Sequence, residues 1–94
     1  MDIQKVLIAD DEKHIREILK MYCEKEGFDV IEAADGAEAI LKVQSEKPDI
    51  LILDIMMPVM DGLEVCKQVR KMSDLPIIML TAKDEDDDRI LGLE

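Results

Sequence analysis

Short apolar runs alternate with longer amphipathic segments along this chain. The third run, Ile50 to Leu53, contains four apolar residues in a row, which suits a strand buried on both faces of a parallel sheet. Three further runs have similar length and are rich in aliphatic residues. The pattern predicts four strands, over residues 4–9, 28–33, 49–54 and 76–81.

The segments between these runs carry apolar residues at helical spacing. A first helix is predicted over residues 13–26, with Gly27 placed to end it in the left-handed conformation. A second helix begins at a capping box formed by Asp35 and Glu38, and Pro48 stops it. A third helix is predicted over residues 62–72.

Each predicted helix presents one apolar stripe, which we expect to face the sheet. The first stripe contains Ile15, Ile18, Leu19, Tyr22 and Cys23. The second contains Ala37, Ile40, Leu41 and Gln44, and the third contains Leu63, Cys66, Val69 and either Arg70 or Met72.

A fourth helix is expected at the end of the chain. The acidic run Asp84 to Asp88 supplies negative charge to a first turn, and the helix would continue from Arg89 to Glu94. Strands that alternate with helices predict a doubly wound parallel sheet with right-handed crossovers, an α/β fold.

Length and charge narrow the classes of function. The 94 residues suffice for one domain, residues 1–94. The net charge of −11 disfavours binding to nucleic acid or to an anionic membrane, and favours cations or basic partners. No apolar stretch approaches the length of a membrane span, and the first run opens a strand rather than a signal peptide. We therefore expect a cytoplasmic protein with Cys23 and Cys66 as reduced thiols.

Three carboxylates lie where predicted strands end: Asp10 and Asp11 after the first, and Asp54 after the third. If these strands are neighbours, the like charges crowd together and require a cation. Oxygen ligands without histidine or thiolate suit Mg²⁺. The alternative is that Asp10 or Asp11 only caps the first helix. Thr81 ends the fourth strand, and its hydroxyl is placed to hydrogen-bond an oxyanion at the same edge.

The chain strongly resembles the receiver domain of two-component response regulators, whose fold is flavodoxin-like. Five motifs carry the resemblance in the family's order: Val6–Glu12, Ala34–Ala39, Pro48–Asp54, Met57–Gly62 and Pro76–Ala82. The resemblance implies a signalling switch, not an enzyme, that promotes only its own phosphorylation and dephosphorylation. It also implies a sensor histidine kinase as partner and, by analogy with receivers attached to DNA-binding domains, a part in transcription regulation.

The resemblance also implies a role for each site residue. Asp54 would accept the phosphoryl group. Asp11, Asp54 and the backbone carbonyl of Met56 would ligate Mg²⁺, while Asp10 would act through a metal-bound water. Thr81 would move toward the phosphoryl group and carry the switch outward.

The match to the family is incomplete at one end. The family has five βα units with strand order 2-1-3-4-5, whereas four are predicted here, without the fifth strand, its lysine–proline motif and the last helix. We expect no effector domain within residues 1–94. We therefore expect weakened phosphoryl stabilisation, an unpaired edge on the fourth strand, and an uncovered face beside the first helix. These predict a homo-oligomer formed by domain swapping, by edge pairing or through that face, or else an unstable monomer.

Two other functions remain as alternatives. One is a truncated receiver that is impaired in signalling and mainly self-associates. The other is a Mg²⁺-dependent aspartyl phosphatase, which would need a second acid and a covering cap that no inserted segment supplies. Among the remaining residues, His14 is expected on the surface, and Met56, Met57 and Met60 are expected to pack their loop rather than bind a soft metal.

Overall fold

The computed structural model describes residues 4–80 and the backbone of residues 90–93. Its elements in chain order are β1 (Lys5–Ala9), α1 (Lys13–Lys25), β2 (Asp29–Ala33), α2 (Gly36–Glu46), β3 (Ile50–Asp54), α3 (Gly62–Arg70), β4 (Ile77–Leu80) and β5 (Ile90–Leu93). The first four strands and three helices lie within one or two residues of their predicted bounds. Thr81 and the acidic run Asp84 to Asp88 lie outside the described residues.

One sheet contains all five strands in the order β2-β1-β3-β4-β5. The pairs β1–β2, β1–β3 and β3–β4 are parallel, as predicted, and this part of the sheet has the order of the flavodoxin-like fold. The strand β1 lies between β2 and β3, so its carboxyl end is adjacent to that of β3.

The prediction of a fourth helix from Arg89 is wrong for the residues that the structure describes. Residues 90–93 form β5, which pairs antiparallel with β4. The expected unpaired edge on β4 is therefore wrong as well. An open edge presents a row of unpaired backbone N–H and C=O groups. The hydrogen bonds that β5 forms with these groups of β4 outweigh a local preference for helix.

The helices lie on both faces of the sheet, as a doubly wound fold requires. The main core combines inward residues of β1, β3 and β4 with α2 and α3, including Leu7, Leu51, Ile77, Val43 and Val65. α1 contacts β1 and β2, and it contains no fully buried residue. None of the helices in the described part of the chain is both long enough and apolar enough to cross a membrane.

The phases of α2 and α3 differ from the predicted stripes. α2 buries Gly36, Ala39 and Val43, and α3 buries Gly62, Val65 and Val69. Leu41 and Leu63, both predicted to face inward, are instead 63% and 59% exposed. Each helix begins in close contact with a neighbouring segment, α2 at Gly36 and α3 at Gly62, and this approach fixes which face of the helix turns inward.

Helix ends follow the predicted local chemistry. Gly27 has a φ of 95°, so the chain leaves α1 in the left-handed region. The Asp35 side chain accepts a hydrogen bond of 2.8 Å from the Glu38 N–H, and the Glu38 side chain accepts one from the Ala34 N–H. The first bond supplies an acceptor for an N–H group that the first turn of α2 leaves unpaired, and the second ties that turn to Ala34, the residue before the N-cap.

Candidate functional site

The carboxyl ends of β1 and β3 bring three acids together. Ala9 is in register with Leu53, so Asp10 and Asp54 follow at the same level of adjacent strands. One carboxylate oxygen from each of Asp10, Asp11 and Asp54 lies within 4.8 Å of the others. The predicted crowding of these acids is confirmed.

Asp10 is buried and is held by its backbone and its side chain. The residue is 2% exposed, and its side chain accepts a 2.9 Å hydrogen bond from the Glu12 N–H. Its N–H donates to the Ala33 carbonyl at 3.2 Å, and its own carbonyl accepts from Arg16 Nη1 at 2.8 Å. The N-cap of α1 is Glu12, without a side-chain cap bond, so neither Asp10 nor Asp11 is the N-cap, and Asp10 supports the helix start only through the Glu12 N–H.

Asp54 is also buried, at 1% exposure, and its Oδ1 accepts a 3.0 Å hydrogen bond from the Met56 N–H. The following residue, Ile55, donates to the Leu80 carbonyl at 3.1 Å, which continues the β3–β4 pairing past the carboxylate. The orientation of Asp54 is therefore fixed by the sheet on one side and by the loop after β3 on the other.

The loop between β3 and α3 is tightly folded. The Gly62 N–H donates to the Ile55 carbonyl at 2.9 Å, which closes the loop, and Val59 has a φ of 69°. Met57 is buried at 5% exposure, as expected for a loop-packing residue. Met56 is 57% exposed, which differs from the prediction that it packs the loop.

The donor set fits a hard divalent cation. Within the described residues, the cluster consists of three carboxylates without histidine or cysteine. Two of them are buried, where like charges repel strongly unless a cation is present. Mg²⁺ prefers oxygen ligands of this kind and retains several waters, which agrees with the exposed position of Asp11.

The remaining predicted site residues are placed as follows. The Met56 N–H donates a hydrogen bond to Asp54, and the predicted role of the Met56 carbonyl as a Mg²⁺ ligand stays a prediction. Thr81 lies outside the described residues. His14 is exposed on α1, as expected for a surface histidine.

A cation network beside the site was not anticipated from the sequence. Arg16 Nε lies 3.0 Å from Glu32 Oε1, and Lys20 Nζ lies 3.7 Å from Glu32 Oε2. Arg16 also reaches the Asp10 backbone. The sequence contained a weak signal, because Arg16 and Lys20 are one helical turn apart on the helix that follows the acids.

Comparisons with known proteins agree with this geometry. The family model described as response regulator receiver domain matches residues 6–94. The chain is 52% identical over 92 residues to the alkaline phosphatase synthesis transcriptional regulatory protein PhoP of Bacillus subtilis, covering 97% of this chain. It spans 38% of that relative's length.

Solved structures show the same fold. Chemotaxis protein CheY4 of Vibrio cholerae superposes with a TM-score of 0.81 at 40% identity, over 89% of this chain and 72% of that one. Response regulator TrrA of Thermotoga maritima, solved in complex with Mg²⁺ and beryllofluoride, gives a TM-score of 0.80 at 44% identity. That match covers 84% of this chain and 70% of TrrA.

Proposed function

Because the chain belongs to the family of response regulator receiver domains, we propose that it accepts a phosphoryl group on Asp54 from a sensor histidine kinase. Residues 1–94 would form one receiver domain, in which phosphorylation acts as a signalling switch. The observation that carries this proposal is the cluster of Asp10, Asp11 and Asp54, whose carboxylate oxygens lie within 4.8 Å of one another.

The position of Asp54 supports its role as nucleophile. In the transfer, a carboxylate oxygen of Asp54 attacks phosphorus, the bond from phosphorus to the kinase histidine nitrogen breaks, and the imidazole leaves with that electron pair. The Met56 N–H holds Oδ1 of Asp54 at 3.0 Å, and burial of the side chain limits access of competing water.

The metal part of the proposal rests on the same cluster. Asp11, Asp54 and the Met56 carbonyl would hold Mg²⁺ directly, and Asp10 would hold it through a water. When bound, Mg²⁺ supplies positive charge that neutralises the phosphoryl oxygens during transfer. Thr81 would bind the phosphoryl group afterwards and transmit the switch.

An amide-shift experiment tests this proposal. Isotope-labelled protein is titrated with Mg²⁺ and then with beryllofluoride, a mimic of the acyl phosphate, and amide shifts are followed around Asp54 and Thr81. Wild type should respond, whereas Asp54→Asn should not. Asp61→Asn is the matched control, because it makes the same acid-to-amide change on the same loop outside the cluster. An unresponsive wild type, or an equal response from Asp54→Asn, would overturn the proposal.

The switch differs from an aspartyl phosphatase in its turnover. We propose that each molecule takes its phosphoryl group from the kinase phosphohistidine and not from a small phosphomonoester, so such an ester should not be turned over repeatedly. Sustained release of inorganic phosphate by wild type, and its loss in Asp54→Asn, would support the phosphatase instead.

The relative from Bacillus subtilis suggests what the phosphorylated receiver controls. Bacillus subtilis PhoP is described as a transcriptional regulatory protein, and this chain corresponds to 38% of it. We propose that phosphorylation of the receiver controls transcription through an attached effector. The acidic receiver itself would not bind nucleic acid.

Self-association is the second candidate function, and two exposed features favour it. The end strand β5 has no partner on its outer edge within the described residues, and such edges pair readily with another chain. Met21 and Tyr22 of α1 are 58% and 60% exposed, which offers an apolar face.

Light scattering over a concentration series tests this candidate. Association through α1 should be lost in Tyr22→Lys, whereas association through β5 should survive that change. A mass that stays monomeric at every concentration would argue against both surfaces.

A further inference from the structure

We infer that Arg16 is a positioning residue for the metal site, because its guanidinium fixes the peptide group that joins Asp10 to Asp11. The inference rests on the proposed function only in requiring that the acidic cluster binds Mg²⁺. Arg16 does not belong to the cluster itself, and it acts through the backbone of two residues that do.

The side chain of Arg16 bridges the site and the sheet. Nη1 donates to the Asp10 carbonyl at 2.8 Å, and Nε donates to Glu32 Oε1 at 3.0 Å. The side chain is only 14% exposed, so these bonds are shielded from water. The guanidinium is planar and rigid, and bonds from two of its nitrogens therefore fix the direction of both partners.

The other end of this bridge is anchored firmly. Glu32 is part of β2 and pairs in register with Ile8 of the central strand β1. Its carboxylate also faces Lys20 at 3.7 Å, and its backbone carbonyl accepts from Lys42 Nζ at 3.0 Å. Arg16 is consequently held by a residue that the sheet itself holds in place.

Asp11 depends on this arrangement most. It is exposed, and its carboxylate forms no hydrogen bond or ion pair with any residue in the described part of the chain. Its position is therefore set by its backbone, which begins with the Asp10–Asp11 peptide. Because the oxygen of that peptide is bound by Arg16, losing Arg16 should let the peptide rotate and carry the Asp11 carboxylate away from Asp54.

An electrostatic role and a positioning role of Arg16 predict opposite changes in Mg²⁺ affinity when its side chain is removed. A cation close to a metal site repels Mg²⁺, so a purely electrostatic role means that its removal tightens binding. A positioning role means that its removal weakens binding. The sign of the change in Mg²⁺ affinity therefore separates the two.

The test compares Arg16→Gln with Lys20→Gln in metal-free and Mg²⁺-titrated protein. Both changes remove one positive charge and one ion pair with Glu32, but only the first removes the bond to the Asp10 carbonyl. We expect the Mg²⁺ dissociation constant, fitted from amide shifts, to rise about tenfold in Arg16→Gln, as is typical when a partner of a metal ligand is lost. Lys20→Gln should bind as wild type or slightly tighter. The Asp11 amide should also shift in metal-free Arg16→Gln and stay in place in Lys20→Gln.

Equal Mg²⁺ affinity in Arg16→Gln and Lys20→Gln, or tighter binding in Arg16→Gln, would overturn the inference. Thermal melts establish that each variant folds. If Arg16→Gln does not fold, Arg16→Lys decides, because lysine keeps the charge but lacks the planar fork whose separate nitrogens reach the Asp10 carbonyl and Glu32. Weakened Mg²⁺ binding by that variant supports the inference, and wild-type affinity overturns it. If wild type itself binds no Mg²⁺, the proposed function fails. If wild type binds Mg²⁺ and Arg16→Gln binds it equally well, only the inference about Arg16 fails.

Discussion

Gly62 allows α3 to begin directly behind the proposed nucleophile, and substituting it should disturb both stability and the site. A Cβ at this position would lie 2.6 Å from the Asp54 carbonyl oxygen and 2.6 Å from Ile55 Cα. Both are backbone atoms, so no side-chain rotation can relieve the contact. The chain must move by most of an ångström just after β3.

The size of the effect follows from this geometry. Overpacking in a core costs about 1–3 kcal/mol, and we expect Gly62→Ala near the upper end because only backbone can give way. In a domain of this size each kcal/mol lowers Tm by about 4–8 °C, so the loss should be roughly 10–20 °C. The same movement should shift the Asp54 amide and weaken its response to Mg²⁺ and beryllofluoride.

Gly27→Ala is the matched control for this prediction. Gly27 has a φ of 95° but open space around its Cβ position, so alanine should cost about 1–2 kcal/mol by backbone strain alone. The site should be unaffected. Thermal melts and amide spectra of both variants check the prediction, and a Gly62→Ala protein with wild-type Tm and an unmoved Asp54 amide would refute the reasoning.

Two further predictions concern local electrostatics and capping. Asp35→Ala removes the acceptor for the Glu38 N–H and should lower the free energy of unfolding, measured in a urea melt, by about 1 kcal/mol. Asp35→Ser should retain most of the stability. Equal urea midpoints for the two variants would contradict this prediction. Hydrogen bonds from two backbone N–H groups at the start of β1 lower the pKa of Asp49 below its ordinary value. Its stabilising effect should be fully present above the unfolded-state pKa and should be lost as the pH falls through the lowered folded-state pKa. The difference in Tm between wild type and Asp49→Asn should therefore be constant from neutral pH to weakly acidic pH and change only at lower pH. A difference that varies near neutral pH would count against the lowered pKa of Asp49.

Features encoded by neighbouring residues were predictable without the structure. The apolar runs of β1 and β3 indicate buried parallel strands, because both faces of each strand are covered. The cap at Asp35 depends only on residues within one turn of it. The sequence also placed Asp10 and Asp54 at the ends of strands, but their meeting depended on β1 and β3 being neighbours, which the pairing in the structure establishes.

Features that depend on distant segments required the tertiary structure. The outward positions of Leu41 and Leu63 reflect how closely α2 and α3 approach their neighbours, which their own apolar spacing does not contain. Residues 90–93 follow an acidic run that is typical of a helix start and nevertheless pair with β4, since backbone groups on an open sheet edge form hydrogen bonds that a local pattern cannot anticipate. Arg16 likewise reads as one polar position on a helix until the fold places it between the Asp10 carbonyl and Glu32. The pattern of apolar and polar residues is a local property of the chain. The rotation of a helix against the sheet, the pairing of an edge strand and the contacts of a side chain such as Arg16 are set by segments far apart in sequence.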